Sequence, residues 1–124
     1  MAKLHLNTNR YFGFSEDNFI GGLPQLNSKS SSWSEFYIEQ RLGPLVKRAT
    51  DSGLVDSSMA KKLVQYYKMA ESVFPNEKPA LLHGDLWKGN VLVNELGKPV
   101  LIDPAIYYGH REMDIAMTKF VGVS

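Results

Sequence analysis

Three observations make this chain an α+β fold that is mostly helical. Two stretches, 32–52 and 56–74, repeat apolar side chains at helical spacing between start and stop signals. Two β-branched runs, Val91-Leu92-Val93 and Pro99-Val100-Leu101-Ile102, flank a turn-forming segment at Asn94 to Lys98 and predict a small β-hairpin. The segment from Asn7 to Ser32, rich in Asn, Ser and Gly, carries neither pattern and is expected to be loop.

Taken in order, Met1 to Leu6 is helix-like but has no capping residue in front of it, so it reads as the tail of a helix begun earlier. Tyr11, Phe12, Phe14 and Phe19 punctuate the loop that follows and are expected to pin it to a core. Ser32-Trp33-Ser34-Glu35 matches a capping box, in which the hydroxyl caps the helix and Glu35 reaches back. Trp33, Phe36 and Tyr37 then share one face. Gly43-Pro44 is expected to kink or break that helix, because Pro44 has no amide hydrogen. Leu45, Val46 and Ala49 resume the apolar face until Gly53.

The second helix starts at Asp56 or Ser57, places Met59, Leu63, Tyr66, Tyr67, Ala70, Val73 and Phe74 at helical spacing, and stops at Pro75. Ala80-Leu81-Leu82 leads into a polar loop at Asp85. After the hairpin, with Gly97 suited to its turn, a last helix is expected from about Arg111 to Ser124, carrying Asp114. There is no internal repeat.

The bounds are ordinary for a globular protein. A length of 124 residues fits one domain, and 44% apolar content is enough to build a core. Fourteen basic and thirteen acidic side chains nearly cancel and form no stripe, so no nucleic-acid or membrane partner is expected. No apolar run approaches the length of a bilayer span, and no leader-like pattern opens the chain. Cysteine is absent, which excludes disulfides and thiolate metal sites. A cytoplasmic location fits this composition.

The chemistry concentrates in His83-Gly84-Asp85-Leu86-Trp87-Lys88-Gly89-Asn90 and in Leu101-Ile102-Asp103-Pro104. A short hairpin between Asn90 and Asp103 would bring them to within about one strand spacing, roughly 5 Å. Magnesium prefers oxygen ligands and keeps several waters, so an amide oxygen and a carboxylate suffice when phosphate oxygens complete the shell. Asp85, on the loop before the hairpin, can accept a hydrogen bond from an attacking hydroxyl. Phosphoryl transfer needs positioning and charge neutralisation more than covalent help, and this set of three suits it.

Asp and Asn singly favour turns; the three together, at this spacing around a hairpin, favour catalysis. His83 is expected to support the loop rather than transfer protons. Asp114, near a helix start, is expected to hold loop amides. Trp87 reads equally as a core anchor or as a flat wall for a sugar. A metal-hydrolase reading, with His83, Asp85 and His110 as ligands, is the alternative that the same residues leave open.

Leu82 to Asn90, together with Ile102-Asp103-Pro104-Ala105-Ile106-Tyr107-Tyr108-Gly109-His110-Arg111-Glu112, resembles the fructosamine kinase (ketosamine-3-kinase) family. That family belongs to the aminoglycoside and choline phosphotransferase group, which has a protein-kinase-like fold. Leu4-His5, Phe12-Gly13-Phe14, Asp17 to Gly21 and Trp33 to Leu42 are also similar to its pattern. The resemblance implies that residues 1–124 form a single partial domain, part of a carboxy-terminal catalytic lobe whose β-hairpin carries the metal site.

It further implies ATP-dependent phosphorylation of a sugar hydroxyl on ketoamines, either small molecules or glycated proteins. Asp85 would be the catalytic aspartate, Asn90 and Asp103 the Mg2+ ligands, Trp87 a substrate contact, and His83 and Asp114 structural support. The family's amino-terminal lobe, with its phosphate-covering loop and strand lysine, has no counterpart in this sequence. The segment alone is therefore expected to be inactive, and apolar faces that other parts of such a kinase would cover are expected to drive self-association. A kinase of the choline or aminoglycoside type and a non-catalytic truncated module are the competing expectations.

Overall fold

In the computed structural model, which describes residues 2–120, the capped and periodic stretches fold as helices and the β-branched runs as a hairpin. The chain opens with α1 (Ala2–His5) and then forms β1 (Asn18–Ile20) and β2 (Leu23–Gln25). Next come α2 (Trp33–Tyr37), a π-helical turn (Ile38–Leu42) and α3 (Gly43–Asp51) in unbroken succession, followed by α4 (Ser57–Val73). The remainder is β3 (Ala80–Leu82), a 3₁₀ turn (Lys88–Asn90), β4 (Val91–Val93), β5 (Pro99–Leu101), β6 (Tyr107–Gly109) and α5 (Glu112–Phe120). Met1 and the stretch 121–124, assigned to helices from sequence, lie outside the described residues.

Among the described residues the strands form two-stranded sheets: β1 with β2, β3 with β6, and β4 with β5, each antiparallel. Two departures from expectation stand out. The stretch from Asn7 to Ser32 is not wholly loop, because it holds the β1–β2 hairpin, turned at Gly21 with φ of 57°. The second is β6, which pairs Tyr107 with Leu82 and Gly109 with Ala80. Strands of three residues contain too few alternations to register as a period, so tertiary pairing decides them.

Gly43-Pro44 does not break its helix. One turn widens instead, so that the Gly43 amide donates to the Ile38 carbonyl five residues back. Only glycine permits this approach, because a Cβ at Gly43 would lie 2.7 Å from the Ile38 oxygen. In a regular helix the Gln40 carbonyl would receive an amide from position 44, which proline lacks; here Arg41 Nη1 donates to it at 2.9 Å.

The caps follow their residue types. Ser32 Oγ accepts from the Glu35 amide at 3.4 Å, but Glu35 does not reach back. The Ser32 amide donates instead to Ser30 Oγ at 3.3 Å. Asp56 accepts from the Met59 amide at 2.7 Å and starts α4. On α4 the buried stripe is narrower than its apolar residues imply: Ala70 is sealed, while Met59, Tyr66 and Val73 are exposed.

The core is an aromatic cluster of Phe12, Trp33, Phe36, Leu82 and Tyr107, with Phe14, Tyr37, Phe74 and Met113 packed against it. Trp33 is its hub, with ring centroids of Phe12, Phe36, Tyr37 and Phe74 at 5.4–6.1 Å. Such pairs add roughly 0.5–1.5 kcal/mol each beyond area burial. The core thereby ties β3 and β6 to α2, and β3 runs directly into the Asp85 loop.

Candidate active site

The loop that leaves β3 is held from beneath by one buried carboxylate. Asp114, on the first turns of α5, is 1% exposed. Its Oδ1 accepts from the Gly84 amide at 3.0 Å, and its Oδ2 accepts from the His83 amide and from His5 Nε2, both at 2.9 Å. A carboxylate taking two backbone amides determines where the loop turns. Gly84 makes that turn at φ of 88° with the Ala105 carbonyl so close that an added Cβ would sit 1.9 Å from its oxygen.

His83 is buried, and both ring nitrogens are engaged. Nδ1 accepts from the Asp85 amide at 3.2 Å, which leaves Nε2–H to donate to the Ile102 carbonyl at 2.8 Å. Those two bonds select the Nε2–H tautomer and staple the loop to the exit of the hairpin. His110, by contrast, lies in the aromatic core, with Nε2 at 3.2 Å from the Pro75 carbonyl and Nδ1 accepting from the Glu112 amide. The metal-hydrolase set of His83, Asp85 and His110 is not assembled: among the described residues no group of three or more His, Cys, Asp or Glu is placed to hold a metal ion.

Asp85 and Asn90 come together across the 3₁₀ turn. Asn90 Nδ2 donates to the Asp85 carbonyl at 2.9 Å and to Asp85 Oδ2 at 3.2 Å. Both contacts are acceptors, so the amide orientation is set with Nδ2 toward Asp85. Trp87 folds back on the same turn: a Cβ on Gly89 would lie 2.2 Å from the indole, so the ring covers that glycine's backbone.

The hairpin forms in the register Val91 to Leu101 and Val93 to Pro99. Beyond it the Ile102 amide donates to the Asn90 carbonyl at 3.0 Å. Asp103, the next residue, is therefore one position past the partner of Asn90. It is exposed and has a left-handed backbone, with φ of 49°.

Several contributors were not legible as site residues. Asn18 and Gln25, read as loop, send side-chain amides to the Ile106 and Ala105 carbonyls, and Asn27, also read as loop, donates to Asn18 Oδ1. Arg41, read only as part of a helix, stacks on Tyr107 with its guanidinium 4.1 Å from the ring centroid. Burial pushes the Tyr107 phenol above its ordinary value, against the pull of Arg41. Burial in turn draws the guanidinium of Arg41 below its usual value. Nothing local in the sequence marks these residues, because their partners are tens of positions away.

An acid on a loop, touching an amide at one foot of a hairpin whose other foot is a second acid, is a donor set suited to phosphoryl transfer. Comparison with known proteins shows the class, that of the kinases, and identifies the group. A model of the fructosamine kinase family matches residues 1–123. The chloroplastic protein-ribulosamine 3-kinase of Arabidopsis thaliana is 43% identical over 98% of this chain and 38% of its own length.

A protein of Lactiplantibacillus plantarum named "Probable ketoamine kinase" is 39% identical over 98% of this chain and 44% of its own length. The crystal structure described as "putative fructosamine-3-kinase" from Thermobifida fusca superimposes with a TM-score of 0.88 at 40% identity, covering 95% of this chain and 41% of that one. The chain belongs to the fructosamine kinase family. It spans less than half the length of these relatives.

Proposed function

We propose that the chain is part of the catalytic lobe of an ATP-dependent kinase that phosphorylates a sugar hydroxyl of ketoamines, the adducts formed when sugars glycate amines. Residues 1–124 are then a single partial domain of a protein-kinase-like fold, with the β4–β5 hairpin carrying the metal site. The observation that carries this reading is the Asp85–Asn90 contact at 3.2 Å, at the foot of the hairpin that leads to Asp103.

In this reading Asp85 faces the acceptor hydroxyl, with one carboxylate oxygen steadied by Asn90 and its backbone amide held by His83 Nδ1 at 3.2 Å. It orients that hydroxyl and takes its proton as the oxygen attacks the terminal phosphate of ATP. Asp114 and His83 keep the loop from drifting. Trp87, half-buried over Gly89, offers an indole edge to the substrate. The donor set fits Mg2+: Asn90 Oδ1 and the exposed Asp103 carboxylate would hold it, leaving room for waters and phosphate oxygens. When bound, the ion neutralises phosphate charge.

The names of the relatives support a ketoamine, free or on a glycated protein, as acceptor. Among the described residues no helix is long and apolar enough to cross a membrane, and a cytoplasmic setting is part of the proposal.

Calorimetric titration of ATP, with and without Mg2+, tests the site. Binding is expected to require Mg2+ and to weaken about tenfold or more in Asp103→Ala, the loss of one charged ligand contact. Equal binding by the variant would remove Asp103 from the metal site. Phosphorylation of a fructosyl-amine but not of choline, by a chain of the relatives' full length, would establish the acceptor class.

A further inference from the structure

The turn that holds Asp103 has a support of its own, built from side chains far away in sequence. Ala105 and Ile106 follow Asp103 after Pro104, and their carbonyls accept from side chains of the β1–β2 hairpin. Gln25 Nε2 donates to the Ala105 carbonyl at 3.0 Å and to Asn18 Oδ1 at 2.9 Å. Asn18 Nδ2 donates to the Ile106 carbonyl at 2.8 Å. Asn27 Nδ2 donates to the same Asn18 Oδ1 at 3.0 Å, and Arg41 Nη2 donates to Asn27 Oδ1 at 2.8 Å. Gln25 and Asn27 are 4% and 1% exposed. One line of donors runs from the Arg41 guanidinium through Asn27 and Asn18 to the Ile106 carbonyl, and Gln25 bridges Asn18 Oδ1 to the Ala105 carbonyl.

Burying two amides and half-burying a third costs desolvation unless each is bonded, and an apolar contact would hold the hairpin equally well if cohesion were the only need. What the amides add is direction. The Ala105 carbonyl that Gln25 grips is the one packed against Gly84, and the Ala105 amide donates to the His83 carbonyl at 2.8 Å. Ala105, in the turn that follows Asp103, thus touches the loop that precedes Asp85 through its amide and meets Gln25 and Gly84 through its carbonyl.

We infer that the Asn18–Gln25–Asn27 ladder, anchored by Arg41, is a positioning device that sets the Asp103 turn against the Asp85 loop. Its consequence for metal binding rests on the function proposed above; its consequence for the turn does not.

Amide hydrogen exchange on the chain reads the turn directly. In Gln25→Leu the Ala105 amide is expected to exchange about tenfold faster, the equivalent of one lost hydrogen bond, while the middle of α4 keeps its protection. Asn18→Ala, at a half-buried site, removes one carbonyl contact. It should accelerate the residues after Ile106 in the same way if Gln25→Leu fails to fold. Unchanged protection at Ala105, or a loss spread evenly over the chain, would overturn the inference.

A second measurement separates it from the functional reading. The Mg2+ concentration that half-saturates ADP binding should rise several-fold in Gln25→Leu, with ADP affinity at saturating Mg2+ little changed. If the parent chain binds no nucleotide, the proposed function fails while the exchange result still decides the ladder.

Discussion

Asp103 keeps φ at 49°, a region that costs a side-chain-bearing residue of the L series roughly 1 kcal/mol and that glycine visits freely. A side chain carried at that backbone cost fits the metal role proposed above. The expected outcome is a split between stability and binding. Asp103→Gly should unfold in urea within about 0.5 kcal/mol of the parent, and Asp103→Ala should be about 1 kcal/mol less stable, since alanine lacks the local hydrogen bonding that lets Asp tolerate this region. Both should lose Mg2+-dependent nucleotide binding.

The Asp85, Asn90 and Asp103 pattern was legible because it is local: five residues, then a hairpin. Asp114 was legible because an acid at a helix start suits loop amides. His5 was not, since its bond to Asp114 spans 109 positions and nothing in a short first helix signals it.

At the level of elements, helices were read well and strands poorly. The caps at Ser32 and Asp56 and the stop near Pro75 declared both long helical stretches. The hydroxyl or carboxylate of a cap needs only its own neighbours. Asp56→Ala should therefore cost about 1 kcal/mol, seen as a lower urea midpoint with the slope unchanged, because the Met59 amide loses its acceptor. The β1–β2 hairpin and β6 escaped notice because each strand is three residues long and gains its stability from distant partners, the buried amides in one case and β3 in the other. The β4–β5 hairpin has equally short strands, but its β-branched runs and the turn at Gly97 gave it away.

Across the described residues, the aromatic cluster takes in the β3–β6 pair and α2 but no residue of the other two hairpins, and much apolar surface is left over. A cavity of about 410 Å³ opens between the π-turn region and α5, lined by Ile20, Tyr37, Leu42, Leu45, Met113 and Met117 among others. Leu54 and Leu96 are 76% and 79% exposed. Exposed apolar surface of this kind favours association in water. Sedimentation velocity from 5 to about 200 µM should show a rising mean mass for the isolated chain. A sharp monomer throughout would mean that the surface is better tolerated than its composition suggests.

The widened turn at Ile38–Leu42 also limits how the gene can drift. It amounts to one surplus residue spliced into a regular spiral, and the surplus is what aims Arg41 at Tyr107 while Trp33 and Phe36 stay in the aromatic cluster. Excising a codon there would wind the backbone tight again and swing everything downstream by about 100° around the axis. Apart from Arg41, substitutions along this segment are negotiable; its length is not.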